Sequence, residues 1–152
     1  MRKKVALIAV GMLLAPVVAG YVMYLRNTAP AAPPVSAAEA SNPTKPFVVK
    51  VHAQWCAVCM LTTSMWTRIE DEYEGRVNFL VMDFTDDRTA DVSRAESERV
   101  GLGRVFEETG STGVVLIVNG RTKEVMATIA GSRNFEDYRA AIDAALKATQ
   151  AF

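Results

Sequence analysis

From residue 47 onward, short apolar runs alternate with segments whose apolar residues recur every three or four positions. Together these two patterns predict an ordered series of strands and helices. Short apolar runs rich in β-branched residues predict strands, whereas apolar residues three or four positions apart predict helices. The predicted strands are residues 47–53, 77–84, 114–118 and 125–130. The predicted helices are residues 58–73, residues 91–108 with a break at Gly101 and Gly103, and a closing helix after Asn134. The predicted order is βαβ, a helix, a β-hairpin and a helix.

Turn and capping residues support the second half of this order. The dipeptide Asn119-Gly120 follows the third predicted strand directly and is a strong hairpin signal, because both residue types tolerate the positive φ of a tight turn. Asn134 and Asp137, three positions apart, resemble a capping box at the start of the closing helix. The sequence therefore predicts an α/β domain whose last two strands are antiparallel neighbours.

The first 26 residues have a different pattern, which bears on location. Three basic residues at 2–4 precede an uncharged apolar stretch over residues 5–25, and about 20 such residues in a helix span a bilayer core of roughly 30 Å. Small residues at 17–19 would also suit a signal-peptide cleavage site. Because the apolar run continues past them, we favour an uncleaved anchor over residues 1–26. By the positive-inside rule, the anchor crosses the inner membrane once and the rest of the chain faces the periplasm or an equivalent compartment.

Composition divides the rest of the chain into a linker and one domain. Residues 27–46 are rich in Ala, Pro and Ser and contain every proline except Pro16, so they predict an extended tether. Residues 47–152 have the length of one compact domain. The chain has 17 basic and 17 acidic residues and no basic cluster beyond those flanking the membrane, so nothing indicates nucleic-acid binding.

The chemistry of the chain is concentrated in its only two cysteines, Cys56 and Cys59, which follow the first predicted strand. Two intervening residues at a strand-to-helix turn allow such a pair to form and break a disulfide. If a helix begins near Ala57, Cys56 lies against unpaired backbone N–H groups and the positive end of the helix dipole, which favour its thiolate. Cys59, one turn further on, is then placed to attack a mixed disulfide on Cys56. These positions predict Cys56 as the nucleophile and Cys59 as the resolving thiol.

Three other uses of a cysteine pair fit the sequence less well. A purely structural disulfide would close too short a loop to constrain the unfolded chain much. A zinc site within one chain usually needs four ligands, and the chain offers only one histidine, His52. A c-type haem needs a histidine directly after the second cysteine, where this chain has Met60. Redox chemistry is therefore the favoured interpretation.

The element order, with a dithiol at the end of the first strand, resembles the thioredoxin fold, a central mixed β-sheet flanked by helices. The resemblance extends over nearly all of residues 47–146 and is carried by Trp55-Cys56-Ala57-Val58-Cys59, the hairpin at 114–120 and Gly131 before the last helix. Segments 52–56 and 77–81, with the predicted anchor, are most similar to exported, membrane-tethered thioredoxin-like proteins. These include the C-terminal domain of the transmembrane disulfide interchange reductase and the tethered thioredoxins of cytochrome c maturation.

This resemblance implies dithiol–disulfide exchange outside the cytoplasm, directed mainly at reducing protein disulfides. It implies no cofactor beyond the redox-active Cys56–Cys59 disulfide, and a membrane electron donor of the disulfide-reductase type. It also places Trp55 in the active-site environment. A thiol oxidase or isomerase is an alternative, which would need a strongly stabilised Cys56 thiolate and hence a higher reduction potential.

One departure from the family lies opposite the dithiol. The family has a cis-proline before the third strand, and counting back from Asn119-Gly120 places Thr112 there. A threonine favours the trans bond, since a non-proline cis peptide costs roughly 3 kcal/mol. Loss of the proline would affect substrate docking and the shielding of the thiols from metals; alternatively, Thr112 is a plain turn residue. Without the shield, a metal-binding module becomes the rival function, with copper on the pair or a zinc or iron–sulfur cluster shared in a dimer.

Three further departures concern the surroundings of the dithiol. Lys50 occupies the place of a buried aspartate in thioredoxins, and it either points inward and stabilises a thiolate or extends to the surface. His52 replaces an aromatic residue and either tunes the thiols or caps the surface. The charged segment 85–110 is longer than its thioredoxin equivalent. A solvated helix with internal ion pairs explains its composition, and an added docking surface is the alternative.

Overall fold

The computed structural model describes Asn42 and residues 44–150. Elements are numbered in chain order. The strands are β1 Phe47–His52, β2 Asn78–Asp83, β3 Val114–Val118 and β4 Val125–Ala130. The helices are α1 Ala57–Leu61, α2 Thr63–Tyr73, α3 Asp87–Arg99, α4 Gly103–Glu108 and α5 Phe135–Gln150.

The four strands form one mixed sheet in the order β2-β1-β3-β4. β1 runs parallel to β2, with His52 opposite Asp83, and antiparallel to β3, with Val51 opposite Val114. The last residues of β1 and β2 and the first residue of β3 therefore meet at the same end of the sheet. The cysteine pair follows β1 at this end, so the loops after β2 and before β3 are its neighbours.

β1 is the central strand that joins two hydrophobic clusters, one on each face of the sheet. Because successive side chains of a strand point to opposite faces, its continuous apolar run supplies both. The first cluster includes Phe47, Val49, Val51, Leu80, Met82, Leu102 and Phe106. The second includes Val48, Trp66, Ile69, Tyr73, Ile117, Tyr138 and Ile142. The predicted mixed sheet flanked by helices is thus confirmed.

Strand bounds agree closely with the sequence prediction. β3 and β4 have the predicted bounds, β1 ends one residue earlier than predicted, and β2 is one residue shorter than predicted at each end. The predicted helix 58–73 is present but divided into α1 and α2 at Thr62. The Thr62 hydroxyl donates to the Val58 carbonyl at 2.9 Å, a bond to the preceding turn that is often associated with bent helices.

α3 begins earlier than the predicted start at residue 91, because Asp86 caps it. The Asp86 carboxylate accepts from the Thr89 N–H at 2.8 Å, and the Asp86 N–H donates to the Thr89 hydroxyl at 3.1 Å. These reciprocal bonds form a capping box in which threonine takes the place of the usual Glu or Gln. The backbone bond from Thr89 is also the main reason that the pKa of Asp86 lies below its ordinary value.

The predicted break after α3 is confirmed, and it occurs where Gly101 has a φ of +79°. Within the charged segment 85–110, surface ion pairs join Arg94 to Glu107 and Arg99 to Glu96. Such pairs fit the solvated-helix interpretation of residues 85–110.

β3 and β4 form the predicted antiparallel hairpin, and its connection occupies residues 119–124. The Asn119 side-chain oxygen accepts from the N–H groups of Arg121 and Thr122, at 2.8 and 3.1 Å. Asn119 therefore organises a longer Asx-type turn.

α5 begins after Asn134, as predicted. The Asn134 side-chain oxygen accepts from the Glu136 N–H at 3.2 Å, which satisfies one of the unpaired donors of the first turn. Asp137 binds the Asn134 side-chain amide at 3.1 Å, so the two residues that predicted the cap are in contact.

The predicted anchor over residues 1–26 lies outside the described residues, as does most of the predicted linker over residues 27–46. Among the residues that the structure describes, no helix is both long and apolar enough to cross a membrane.

Candidate active site

The turn between β1 and α1 places the cysteine pair. The Cys56 N–H donates to the Ala53 carbonyl at 3.1 Å, which closes a tight turn after the strand. Cys56 then has an extended backbone and is the N-cap of α1, whose first helical residue is Ala57. The predicted start of the helix is thus confirmed, and the Cys56 sulfur lies at the helix N-terminus, where unpaired N–H groups favour an anion.

Cys56 and Cys59 form a disulfide, with their Cα atoms 5.2 Å apart. The Cys56 sulfur also accepts the Cys59 N–H at 3.1 Å. The two residues differ in access, since Cys56 is 8% exposed and Cys59 only 1%. Cys56 is therefore the more accessible of the two cysteines, and the division of roles between them stays a prediction.

The Val51 carbonyl oxygen lies on the other side of the pair. It accepts the Gly113 N–H at 2.9 Å and is 3.8 Å from the Cys59 sulfur. In the reduced protein, the Cys59 S–H can donate to this oxygen, which favours the neutral thiol. The Cys56 sulfur has a donor beside it and the Cys59 sulfur an acceptor, so the two sulfurs lie in opposite electrostatic environments.

Trp55 lies at the surface beside the pair, 65% exposed, and its indole N–H donates to the Thr85 carbonyl at 3.1 Å. The Thr85 hydroxyl accepts the Gln54 N–H at 2.9 Å and donates to the Asp83 carboxylate at 2.5 Å. The Asp83 carboxylate also accepts the Thr85 N–H at 2.9 Å. We call Asp83, Thr85, Gln54 and Trp55 the tryptophan clasp. Sequence reasoning missed Asp83 and Thr85, although the parallel pairing of the first two strands would have placed them beside Trp55.

Lys50 is half-buried and lines a cleft with Thr62 and with Met65 and Trp66 of α2. Its ammonium nitrogen lies 5.4 Å from the centre of the Trp66 ring. Burial lowers the pKa of Lys50, and the carboxylates of Glu70 and Asp83 oppose that shift. The side chain is partly buried, and its effect on a thiolate stays a prediction.

His52 is half-buried at the end of β1, and its carbonyl accepts the Phe84 N–H at 2.8 Å. Its Nδ1 atom is buried and has no hydrogen-bond partner among the described residues. The position places His52 on the strand that leads to the dithiol. Whether it tunes the thiols remains a prediction.

Thr112 is half-buried and lines a cleft of about 350 Å³ together with Trp55, Phe84 and residues 109–111. The described part of the chain contains no cis peptide bond, in agreement with the expectation for threonine at this position. The next residue, Gly113, faces the disulfide directly. A Cβ atom added there would lie 3.3 Å from the Cys56 sulfur and 3.0 Å from Val58 Cγ1. Sequence counting named Thr112 and did not recognise Gly113 as the neighbour of the sulfur.

The segment that carries the disulfide exposes apolar side chains. Trp55, Val58, Met60 and Leu61 are all exposed there. The sequence has no Asp, Glu, Lys or Arg from residue 53 to residue 67. Within the described residues, no group of three or more His, Cys, Asp or Glu side chains is arranged to hold a metal ion. Chemically, a cysteine pair in this arrangement can exchange disulfides.

A four-stranded mixed sheet flanked by helices, with a disulfide at the N-terminus of its first helix, is consistent with the thioredoxin fold. The family model described as Thioredoxin matches residues 36–96, which contain β1, the cysteine pair and β2. Among solved structures, the crystal structure of Trxlp from Edwardsiella tarda EIB202 is 15% identical, with a TM-score of 0.46. That match covers 69% of this chain and 86% of the other. No curated protein matches the chain.

Proposed function

We propose that this protein is a thiol–disulfide oxidoreductase that mainly reduces disulfides in other proteins. The observation that carries the proposal is the unequal environment of the two sulfurs. The Cys56 sulfur accepts a backbone N–H at the start of α1, whereas the buried Cys59 sulfur lies near the Val51 carbonyl. A nucleophile with a stabilised thiolate and a resolving thiol that keeps its proton are what stepwise exchange requires.

The first step begins from the reduced protein. The Cys56 thiolate attacks one sulfur of the substrate disulfide, so a mixed disulfide forms and the second substrate sulfur leaves as a thiolate. The apolar surface around Trp55 and Val58 would contact the substrate during this step.

Cys59 completes the exchange. Its thiol gives its proton to the departing substrate thiolate, and the resulting Cys59 thiolate attacks the Cys56 sulfur. The intramolecular disulfide forms, the mixed disulfide breaks and the second substrate thiolate is released. Two electrons have passed from the dithiol to the substrate, and a reductant must supply two more before the next cycle.

We assign that reductant to the membrane. Residues 1–26 have the charge and hydropathy of an anchor, and residues 27–46 those of a tether, so the domain would work close to the outer face of the inner membrane. A membrane disulfide reductase is the matching electron donor. Apocytochrome c during its maturation, or another exported protein with a disulfide, is the matching substrate class.

A redox titration of the full chain in detergent tests the direction of electron flow. The protein is equilibrated in glutathione and dithiothreitol buffers, and free thiols are counted by alkylation and mass. A reduction potential near or below about −250 mV supports the reductant, whereas a value near −120 mV would make the protein an oxidant. If the two cysteines form no intramolecular disulfide, the exchange mechanism is wrong.

Two cysteine variants test the mechanism itself. Cys59→Ser should accumulate a mixed disulfide between Cys56 and a disulfide-containing substrate, because the resolving thiol is missing. Cys56→Ser is the matched control and should accumulate none. Metal analysis of the full chain purified without chelator tests the rival metal-binding function, which stoichiometric copper, zinc or iron would favour.

A further inference from the structure

Val58, the second residue between the cysteines, lies against two glycines from separate loops. Gly113 precedes β3, and Gly131 lies between β4 and α5. A Cβ atom added to Gly131 would be 3.0 Å from Val58 Cγ1 and would meet nothing else within 4 Å. One added to Gly113 would be 3.0 Å from the same methyl group. A single Val58 methyl group therefore occupies a niche that exists because both neighbours lack side chains. We call it the glycine niche.

Backbone hydrogen bonds hold the glycine niche in place. The Gly131 N–H donates to the Gly113 carbonyl at 3.1 Å, and the Gly113 N–H donates to the Val51 carbonyl at 2.9 Å. On the α5 side, the buried Tyr138 donates its hydroxyl to the Ser132 carbonyl at 2.7 Å. The niche is thus tied to the central strand and to the last helix, and neither glycine can move without disturbing these bonds.

Val58 cannot easily leave this position by rotating its side chain. A β-branched residue in a helix has one strongly preferred χ1 rotamer. α1 is only five residues long, and its N-cap is Cys56. A push on Val58 would therefore displace the helix turn that directs the Cys59 N–H at the Cys56 sulfur.

We propose that the contact between Val58 and Gly131 positions the first turn of α1 and thereby sets the reactivity and the redox equilibrium of Cys56. Val58 and Gly131 act through the turn and do not themselves react. The inference rests on the proposed thiol–disulfide chemistry and extends it to two positioning residues. Displacing the turn weakens the hydrogen bond to the Cys56 sulfur, which destabilises its thiolate and favours the disulfide.

The test uses Gly131→Ala in the full chain, with Gly75→Ala as its matched control. Both glycines have a positive φ, +58° and +68°, but a Cβ atom at Gly75 would meet nothing within 4 Å. Gly75→Ala therefore reports backbone strain alone. We expect Gly131→Ala to shift the glutathione equilibrium at least fivefold towards the disulfide and to slow Cys56 alkylation at pH 7 by a similar factor. Gly75→Ala should change either quantity less than twofold.

Relief of the clash provides the second arm. Val58→Ala removes the methyl group that meets the new side chain, so Gly131→Ala combined with Val58→Ala should match Val58→Ala alone within twofold. Equal effects of Gly131→Ala and Gly75→Ala, or no rescue in the double variant, would overturn the inference. If Gly131→Ala does not fold, Val58→Ala tests the inference instead, because it empties the glycine niche. Val58→Ala should slow Cys56 alkylation more than Ala57→Ser does, which changes the other residue between the cysteines.

The outcome is separable from the proposed function. The glutathione equilibrium and the alkylation rate are properties of the cysteine pair and need no protein substrate. A wild-type protein that reduces no substrate disulfide, yet shows the Gly131 effect and its rescue, would overturn the proposed function and leave the positioning contact standing.

Discussion

The Val51 carbonyl oxygen lies 3.8 Å from the Cys59 sulfur, near the end of the strand that precedes the cysteine pair. The Gly113 N–H donates to the same oxygen at 2.9 Å, so in the reduced protein the loop before β3 and the Cys59 thiol would share one acceptor. A carbonyl stabilises a thiol that donates to it and destabilises the corresponding thiolate. The strand itself therefore contributes to the difference between the two cysteines.

The two thiols should titrate at different pH values. In Cys59→Ser the remaining Cys56 thiol, at the helix N-terminus, should have a pKa below the ordinary value of about 8.5. In Cys56→Ser the buried Cys59 thiol beside Val51 should have a pKa above it. The pH dependence of iodoacetamide alkylation, followed by mass, measures both. At pH 7, alkylation of Cys59 in Cys56→Ser should be at least tenfold slower than alkylation of Cys56 in Cys59→Ser. Equal rates would show that the two sulfur environments do not differ in solution.

The tryptophan clasp should support both stability and reactivity. Thr85→Val keeps the shape of the side chain but removes the hydroxyl that joins the Gln54 N–H to the Asp83 carboxylate. We expect a loss of about 1–2 kcal/mol in the free energy of unfolding, measured by urea denaturation. We also expect slower reduction of a disulfide substrate, because the segment before Cys56 is less firmly held.

Thr67→Val is the control for the clasp. Thr67 is exposed on α2, and its hydroxyl donates only weakly, at 3.4 Å, to a carbonyl of the same helix. This variant should change stability by less than about 0.5 kcal/mol. Equal losses in the two variants would show that the clasp contributes nothing specific.

Two asparagines should differ in their contribution to stability. Asn78 is buried, and its side chain bonds the Asn42 N–H, the Asn42 carbonyl and the Lys45 carbonyl at 2.8–3.0 Å. Asn134 is exposed and caps α5 through one bond to a backbone N–H. In urea denaturation, Asn78→Ala should cost about 2–3 kcal/mol and Asn134→Ala about 1 kcal/mol. The reverse order would show that the segment before β1 is not held by Asn78.

The sequence was sufficient to predict features that depend on local chemistry. Strand β3 is an apolar run ended by Asn119, and Cys56 falls where a strand pattern gives way to a helix pattern. Both predictions are confirmed because each rests on neighbouring residues alone. The early start of α3 was missed because Thr89 completes the Asp86 cap in a way that the usual Glu or Gln rule does not include.

Features that depend on long-range contacts were not predictable in the same way. Thr85 binds Gln54 only because β1 and β2 are parallel and in a particular register. Gly113 lies beside the Cys56 sulfur with a positive φ, and a count of residues from Asn119 does not carry that information. Pattern and spacing locate such residues on an element, whereas register and backbone geometry decide which side chains they meet.

Lys50 should make stability depend on pH in the alkaline range. Burial lowers its pKa below the ordinary 10.5, so the folded protein releases this proton at a lower pH than the unfolded chain does. Between the two pKa values the unfolded chain binds more protons, and stability therefore rises with pH through this window. Below the pKa that Lys50 has in the folded protein, the partly buried ammonium lowers the free energy of unfolding by its full amount. The contact of the ammonium with the Trp66 ring offsets part of this loss.

Lys50→Met removes the charge and keeps a flexible apolar side chain of similar reach. The variant should be more stable than the wild type near pH 7, and its advantage should shrink as the pH approaches 10.5, where the wild type also carries a neutral Lys50. Tyr73, whose pKa is raised to about 12, titrates in both proteins, so the difference between them isolates Lys50. Urea denaturation from pH 7 to 11 measures that difference, with the exposed Lys147→Met as the control that should give no such trend. If the stability difference between Lys50→Met and the wild type does not change with pH, the charge of Lys50 is not the cause of that difference.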